Sequence, residues 1–170
     1  MALVGDVSGK GLKAAMLVSV AIGALRREKS SSPTEILAGL NEAFIGQGGL
    51  VTCCCIRYTP AGEVTVASAG HPAPYCDGRE VEVVAGLPLG VVAGADWEET
   101  RMILPPGAQV TLVSDGVVEA ENATRELFGF DRTREINGKS AQEIAEAAKA
   151  WGQTDDITVV TVRRAASCDS

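Results

Sequence analysis

The chain has 170 residues, enough for one domain with a sizeable core and short for two. It is 46% hydrophobic and 22% charged, with aromatics at only 4%, so the core must be aliphatic. Acidic residues number 22 against 15 basic ones, and a net charge of −7 with no basic cluster leaves no electrostatic footprint for nucleic acid. No segment reaches the apolar length of a membrane span and no signal peptide opens the chain, so a cytoplasmic location is expected.

Met1–Val4 are apolar and run into Gly5-Asp6-Val7-Ser8-Gly9-Lys10-Gly11, which reads as the end of a buried strand and a glycine-rich turn. The pattern from Leu12 to about Arg27 is helical, with Leu12, Ala15, Met16, Ser19, Ile22 and Gly23 near helical spacing. Arg26, Arg27 and Lys29 then complement the helix C-terminus. A Ser-Ser-Ser stretch before Pro33 predicts a capped second helix with Ile36, Leu37, Leu40 and Phe44 on one face, ending near Gly46. Leu50–Tyr58 and Glu63–Ala69 are predicted strands joined by a turn at 59–62. Asp77-Gly78 joins two further short strands, Pro74–Cys76 and Glu80–Val84. Strands are also expected at Trp97–Leu104 and Gln109–Ser114, with Pro105-Pro106-Gly107 breaking between them. A helix follows at about Ala141–Ala150 with Ser140 as its cap, and Asp156–Val162 closes the fold as a Val/Thr-rich strand. Hairpins with segregated helix pairs argue for an α+β fold.

Cys53, Cys54 and Cys55 are consecutive in a strand, where alternate side chains face opposite ways and cannot surround one zinc. They read as small buried hydrophobes, and Cys76 and Cys168 as incidental.

Three acidic motifs share one design: Asp6 after Gly5, Asp115 before Gly116, and the Asp155-Asp156 pair, each at a strand end. Neighbouring glycines let carbonyls or waters approach an ion closely. Carboxylates without Cys or His favour the hard cations Mg²⁺ or Mn²⁺ over zinc. Asp-Gly is equally a turn signal, and that reading is adopted for Asp77-Gly78. His71, the only histidine, invites a general-acid role, but a turn histidine held by hydrogen bonds is the favoured reading. Lys10 can meet phosphate or simply solvate its turn.

Five blocks occur in order: Gly5-Asp6-Val7-Ser8-Gly9-Lys10-Gly11, Ala69-Gly70-His71-Pro72-Ala73-Pro74, Gly86-Leu87-Pro88-Leu89-Gly90, Ser114-Asp115-Gly116-Val117-Val118-Glu119-Ala120 and Asp155-Asp156-Ile157-Thr158-Val159-Val160. Together they resemble the stage II sporulation protein E-like (SpoIIE/RsbU-type) phosphatases, a bacterial branch of the metal-dependent PPM superfamily. The resemblance implies a four-layer α/β-β/α sandwich of two antiparallel sheets flanked by helix pairs. It also implies a centre of two Mn²⁺ or Mg²⁺ ions. Matched by motif, Asp6 would bridge both ions, the Val7 carbonyl would add a ligand, and Asp115 and Asp155 would hold the second ion, with Asp156 beside them. Asp6, Asp115 and Asp155 would thereby carry the catalysis: hydrolysis of phosphoserine or phosphothreonine by a hydroxide bridging the ions. The implied substrate is a STAS-type anti-sigma factor antagonist in a partner-switching pathway, with an upstream sensor domain.

The family carries another Asp, in a Gly-Gly-Asp block on strands that precede the first of these motifs, and the sequence begins after it. The expectation is an N-terminally truncated phosphatase domain over 1–163 with a tail at 164–170. Strand edges left exposed would favour pairing between chains, a homodimer among the outcomes. Two readings follow: a phosphatase, or a non-catalytic module that keeps the fold and binds a partner.

Overall fold

A computed structural model describes residues 1–166. In chain order its first elements are β1 (Ala2–Val7), α1 (Leu12–Arg27), α2 (Pro33–Phe44), β2 (Val51–Tyr58), β3 (Glu63–Ala69), β4 (Tyr75–Cys76) and β5 (Arg79–Glu80). There follow β6 (Ala85–Gly86), β7 (Thr100–Ile103), β8 (Gln109–Val113), α3 (Asp115–Val118), α4 (Gly129–Ile136), α5 (Ala141–Trp151) and β9 (Val159–Arg163). The fold is α+β, with two sheets that are antiparallel in the pairs β1–β2, β2–β3, β4–β5, β4–β8 and β8–β9 and parallel in the short pair β3–β6. The chain divides into two units, Met1–His71 with Val83–Met102, and Pro72–Glu82 with the residues from Ile103 onward.

In the first unit the strands run β1-β2-β3-β6, with β7 also paired to β3. Ser32 caps α2 by accepting from the Glu35 amide, Pro33 sits in its first turn, and Ile36, Leu37, Leu40 and Phe44 are buried as predicted. They pack with Val51, Cys53 and Cys55 of β2 and Ala67 and Ala69 of β3. Strand alternation then turns Thr52 and Cys54 to the opposite face. Asn41, buried within α2, donates to the Val92 carbonyl and accepts from the Gly90 amide, tying the 90–92 loop to the helix.

The helix α1 has its predicted bounds but not its predicted face. Leu12, Met16 and Ile22 are exposed (79%, 61% and 46%), while Leu17 is buried and Val20, Ala21 and Ala24 pack beside it. Alanines and branched residues are spread around all of α1, so two stripes fit the helical period, and contact with α2 and the sheet selects the one through Leu17. Trp97–Glu99 also lie outside a strand: the indole of Trp97 is buried and donates to the Leu87 carbonyl, and β7 begins only at Thr100.

The second unit is built on the sheet β5-β4-β8-β9. Asp77 (φ 46°) and Gly78 (φ 80°) turn the β4–β5 hairpin with the positive dihedrals a two-residue turn requires. The flanking strands are shorter than predicted, ending at Glu80. Ser140 and Glu143 form a reciprocal capping box on α5. Tyr75, Val113, Val117, Ala120, Phe128, Ile144 and Ala148 make the core of this unit. The sequence reading did not foresee α3 and α4, because α3 is a single turn and α4 buries only Thr133 and so shows no apolar period. Arg132 of α4 instead lies over the Trp151 ring, 4.2 Å from its centroid. The last strand starts at Val159, three residues later than expected, and leaves Asp155 and Asp156 in the loop before it. Arg164 still exchanges backbone hydrogen bonds with Ala108 and Gly107; of the predicted tail, residues 167–170, including Cys168, lie outside the described residues.

Candidate functional site

Two of the three acidic motifs meet inside the second unit. β8 is buried throughout and delivers Ser114 and Asp115 at its end. The Ser114 hydroxyl donates to the Asp156 carbonyl (3.1 Å) and accepts from the Thr158 amide (2.9 Å), while the Ser114 amide donates to the Thr158 carbonyl (2.9 Å). One side chain thus stitches the Asp115 segment to the Asp155–Thr158 loop. Gly116 completes the seam: a Cβ there would fall 2.2 Å from the Asp156 carbonyl oxygen. Only a residue without a side chain lets the two backbones approach so closely.

The carboxylates themselves are held at their bases. Asp115 Oδ1 accepts from the Gly116 amide and Asp155 Oδ1 from the Asp156 amide, both at 2.9 Å. Asp115 is half-buried, whereas Asp155 and Asp156 are exposed. The sequence singled out these aspartates but not Ser114, which ties their two backbone segments together. Its signal was present, a hydroxyl residue directly before Asp-Gly at the end of an apolar strand.

Asp6 and Val7 belong to the first unit, as the last two residues of β1. In the β1–β2 pair Asp6 stands opposite Thr52, and Val7 opposite Val51. Ser8 closes the strand by exchanging hydrogen bonds with Leu50. His71 is 6% exposed and its Nδ1 lies 2.9 Å from Thr52 Oγ1, so it is the hydrogen-bonded turn histidine that the sequence favours.

Among the described residues Cys53, Cys54, Cys55 and Cys76 are free, and the first three are buried. Burial pushes the thiols of Cys54 and Cys55 up to about 12 and raises Cys53 well above the ordinary thiol range. Thiols held protonated in this way are neither nucleophiles nor ready metal ligands.

Among the described residues no group of three or more His, Cys, Asp or Glu side chains is arranged to hold a metal ion. The donors that the motifs supply are nonetheless of one kind. Asp6, Asp115, Asp155 and Asp156 offer carboxylate oxygens and Val7 a carbonyl, a set suited to Mg²⁺ or Mn²⁺ and unsuited to zinc. The Gly116 seam packs the backbone of the Asp115 segment directly against that of Asp155–Asp156. The residues therefore fit a hard divalent cation by chemistry.

A family model described as stage II sporulation protein E (SpoIIE) matches residues 1–165. The chain belongs to the SpoIIE family. Solved structures agree with the assignment. A structure of the RsbU and RsbW domains of Rv1364c from Mycobacterium tuberculosis is 26% identical at a TM-score of 0.75, covering 97% of this chain and 53% of that one. The SiaA-PP2C domain of Pseudomonas aeruginosa is 23% identical at a TM-score of 0.73, covering 95% and 74%. The catalytic domain of the serine threonine protein phosphatase PstP, in complex with 2 manganese ions, is 17% identical at 0.65, covering 94% and 86%. The last two likenesses speak for the fold alone. This SpoIIE-family chain spans about half the length of the Rv1364c structure and has the fold of PP2C-type phosphatase domains. Among its described residues no helix is long and apolar enough to cross a membrane.

Proposed function

We propose that this SpoIIE-family chain is a metal-dependent serine/threonine phosphatase domain acting on a phosphorylated protein in the cytoplasm. The observation that carries the reading is the seam at Gly116, where Ser114 and a backbone contact hold the Asp115 and Asp155–Asp156 segments together. A turn-forming Asp-Gly needs no such partner 40 residues away. Family membership supports the same reading, and the two manganese ions in the PstP structure support Mn²⁺ as the probe.

In this reading Asp6, Asp115 and Asp155 hold the cations, with Val7 and Asp156 as further donors. Bound divalent ions supply a water nucleophile at neutral pH and offset charge on the phosphoryl oxygens. The chain's own part is positional. The Ser114 hydrogen bonds keep the carboxylate-bearing segments in register, and β1 presents Asp6 from a paired strand rather than a loose turn. No covalent enzyme intermediate is required, consistent with buried, protonated thiols.

The substrate class is a phosphoserine or phosphothreonine protein, with a STAS-type anti-sigma factor antagonist as the specific expectation. The RsbU and RsbW domains named for the Rv1364c structure support a partner-switching setting, and an upstream sensor domain is a further part of the proposal. Hydrolysis of p-nitrophenyl phosphate with Mn²⁺, with and without chelator, is the direct test. Turnover that needs Mn²⁺ and is lost in Asp115→Asn and Asp155→Asn is expected. The competing reading is a non-catalytic partner-binding module that keeps the fold. It gains the field if turnover is absent and Asp115→Asn changes nothing.

A further inference from the structure

We infer that His71 is a positioning residue for Asp6, acting through the hydroxyl of Thr52. This rests on the reading of Asp6 as a metal-binding carboxylate. Asp6 and Thr52 are directly opposite in the antiparallel β1–β2 pair, so their side chains stand on the same face of the sheet. Opposite residues in such a pair have Cβ atoms roughly 5 Å apart, within reach of a hydrogen bond between a hydroxyl and a carboxylate. His71 Nδ1 lies 2.9 Å from Thr52 Oγ1. When Nδ1–H donates, the hydroxyl oxygen is satisfied as an acceptor and keeps its own proton for an acceptor across the pair.

The seat of the imidazole is itself built. Ser68, opposite Cys54 in register and so on the same sheet face as Thr52, donates its hydroxyl to the His71 carbonyl (3.0 Å) and accepts from the His71 amide (3.3 Å). Gly70 carries the chain into this turn at φ 68°, where a Cβ would strike the Pro88 ring at 2.8 Å. A histidine needed only to fill space would not require a serine and a glycine to aim it. The arrangement orders Ser68, His71, Thr52 and Asp6 along one face, each fixing the next. Outer partners of this kind orient a ligand carboxylate, and losing one lowers metal affinity by about 10–100-fold.

The test is Mn²⁺ binding by titration calorimetry on the whole chain, alongside its urea unfolding midpoint without metal. Thr52→Val keeps the side-chain shape and suits a strand; it should weaken Mn²⁺ binding about tenfold, while the metal-free midpoint falls only by what leaving the buried His71 Nδ1 without its hydroxyl costs. Thr52→Ser restores binding, and His71→Asn, which retains a donor, binds better than His71→Phe. The Thr52→Val, His71→Phe double variant binds no worse than Thr52→Val alone, because both remove one linkage. Wild-type binding in Thr52→Val, or additive losses in the double variant, would overturn the inference. Asp6→Asn separates the two levels. If it abolishes binding while Thr52→Val is silent, only the role of His71 falls; if Asp6→Asn binds Mn²⁺ normally, the reading of Asp6 falls and this inference with it.

Discussion

Replacing Gly116 by Ala tests whether the closeness of two backbones, rather than the aspartates alone, makes the site. The added Cβ would lie 2.2 Å from the Asp156 carbonyl oxygen and 2.9 Å from its carbon. Real Cβ contacts essentially never fall below 3.0 Å, so one backbone must move by about 0.8 Å. No flexible side chain can absorb that shift, because both obstructing atoms are main chain. Overpacking a fitted contact costs about 1–3 kcal/mol. For a chain of this size that lowers the melting temperature by roughly 2–4 °C for each kcal/mol. The displaced loop also carries Asp155, so Mn²⁺-dependent phosphatase turnover should fall by at least about tenfold. Gly138→Ala is the control in the same unit, since a Cβ there meets nothing within 4 Å. Thermal melts and p-nitrophenyl phosphate turnover would be measured on both. A Gly116→Ala chain with wild-type melting and turnover refutes the reasoning; so does a Gly138→Ala chain equally damaged.

Gly23→Ala lies within α1 and meets open space, so it should stabilise the chain by about 0.5–1 kcal/mol in urea unfolding. Asn41→Leu strands the Gly90 amide and the Val92 carbonyl and should cost about 1–3 kcal/mol, seen as a lower unfolding midpoint with an unchanged slope. Ser140→Ala removes the capping box of α5 and should cost about 1 kcal/mol near neutral pH. Hydrogen bonds from Ser140 hold the Glu143 carboxyl below its ordinary value of 4.5. A carboxyl depressed by folding stabilises above that ordinary value and loses its contribution as the pH falls through the lowered one. The gap between wild type and Ser140→Ala should therefore narrow in acid, which unfolding midpoints across that range would show.

Much of the fold was legible because local chemistry and tertiary contact agreed. Ser32 and Pro33 start α2, Ser140 starts α5, and the 59–62 turn joins β2 to β3, all from short-range signals. Legibility failed where packing chose between equal local options. The face of α1 was ambiguous because small and branched residues surround it, and α4 was hidden because it depends on Arg132 and Thr133 rather than an apolar stripe. The candidate aspartates stand out in the sequence as Gly-Asp, Asp-Gly and Asp-Asp motifs in order along the chain. Their supports do not: Ser114, Gly116 and Thr52 gain meaning only when residues 40 or more positions away are brought alongside them.

The run Cys53-Cys54-Cys55 at the centre of the first sheet has a practical consequence. Alkylating reagents attack thiolates, and these three thiols are both enclosed and shifted far toward the protonated form. Their labelling rate is accordingly a clock for the opening of the strand β2. Cys76, half-buried in the second unit, is open to reagent in the folded chain and serves as the reference against which that clock is read. The chain thus carries its own stopwatch for the first sheet, readable by mass spectrometry without adding a probe.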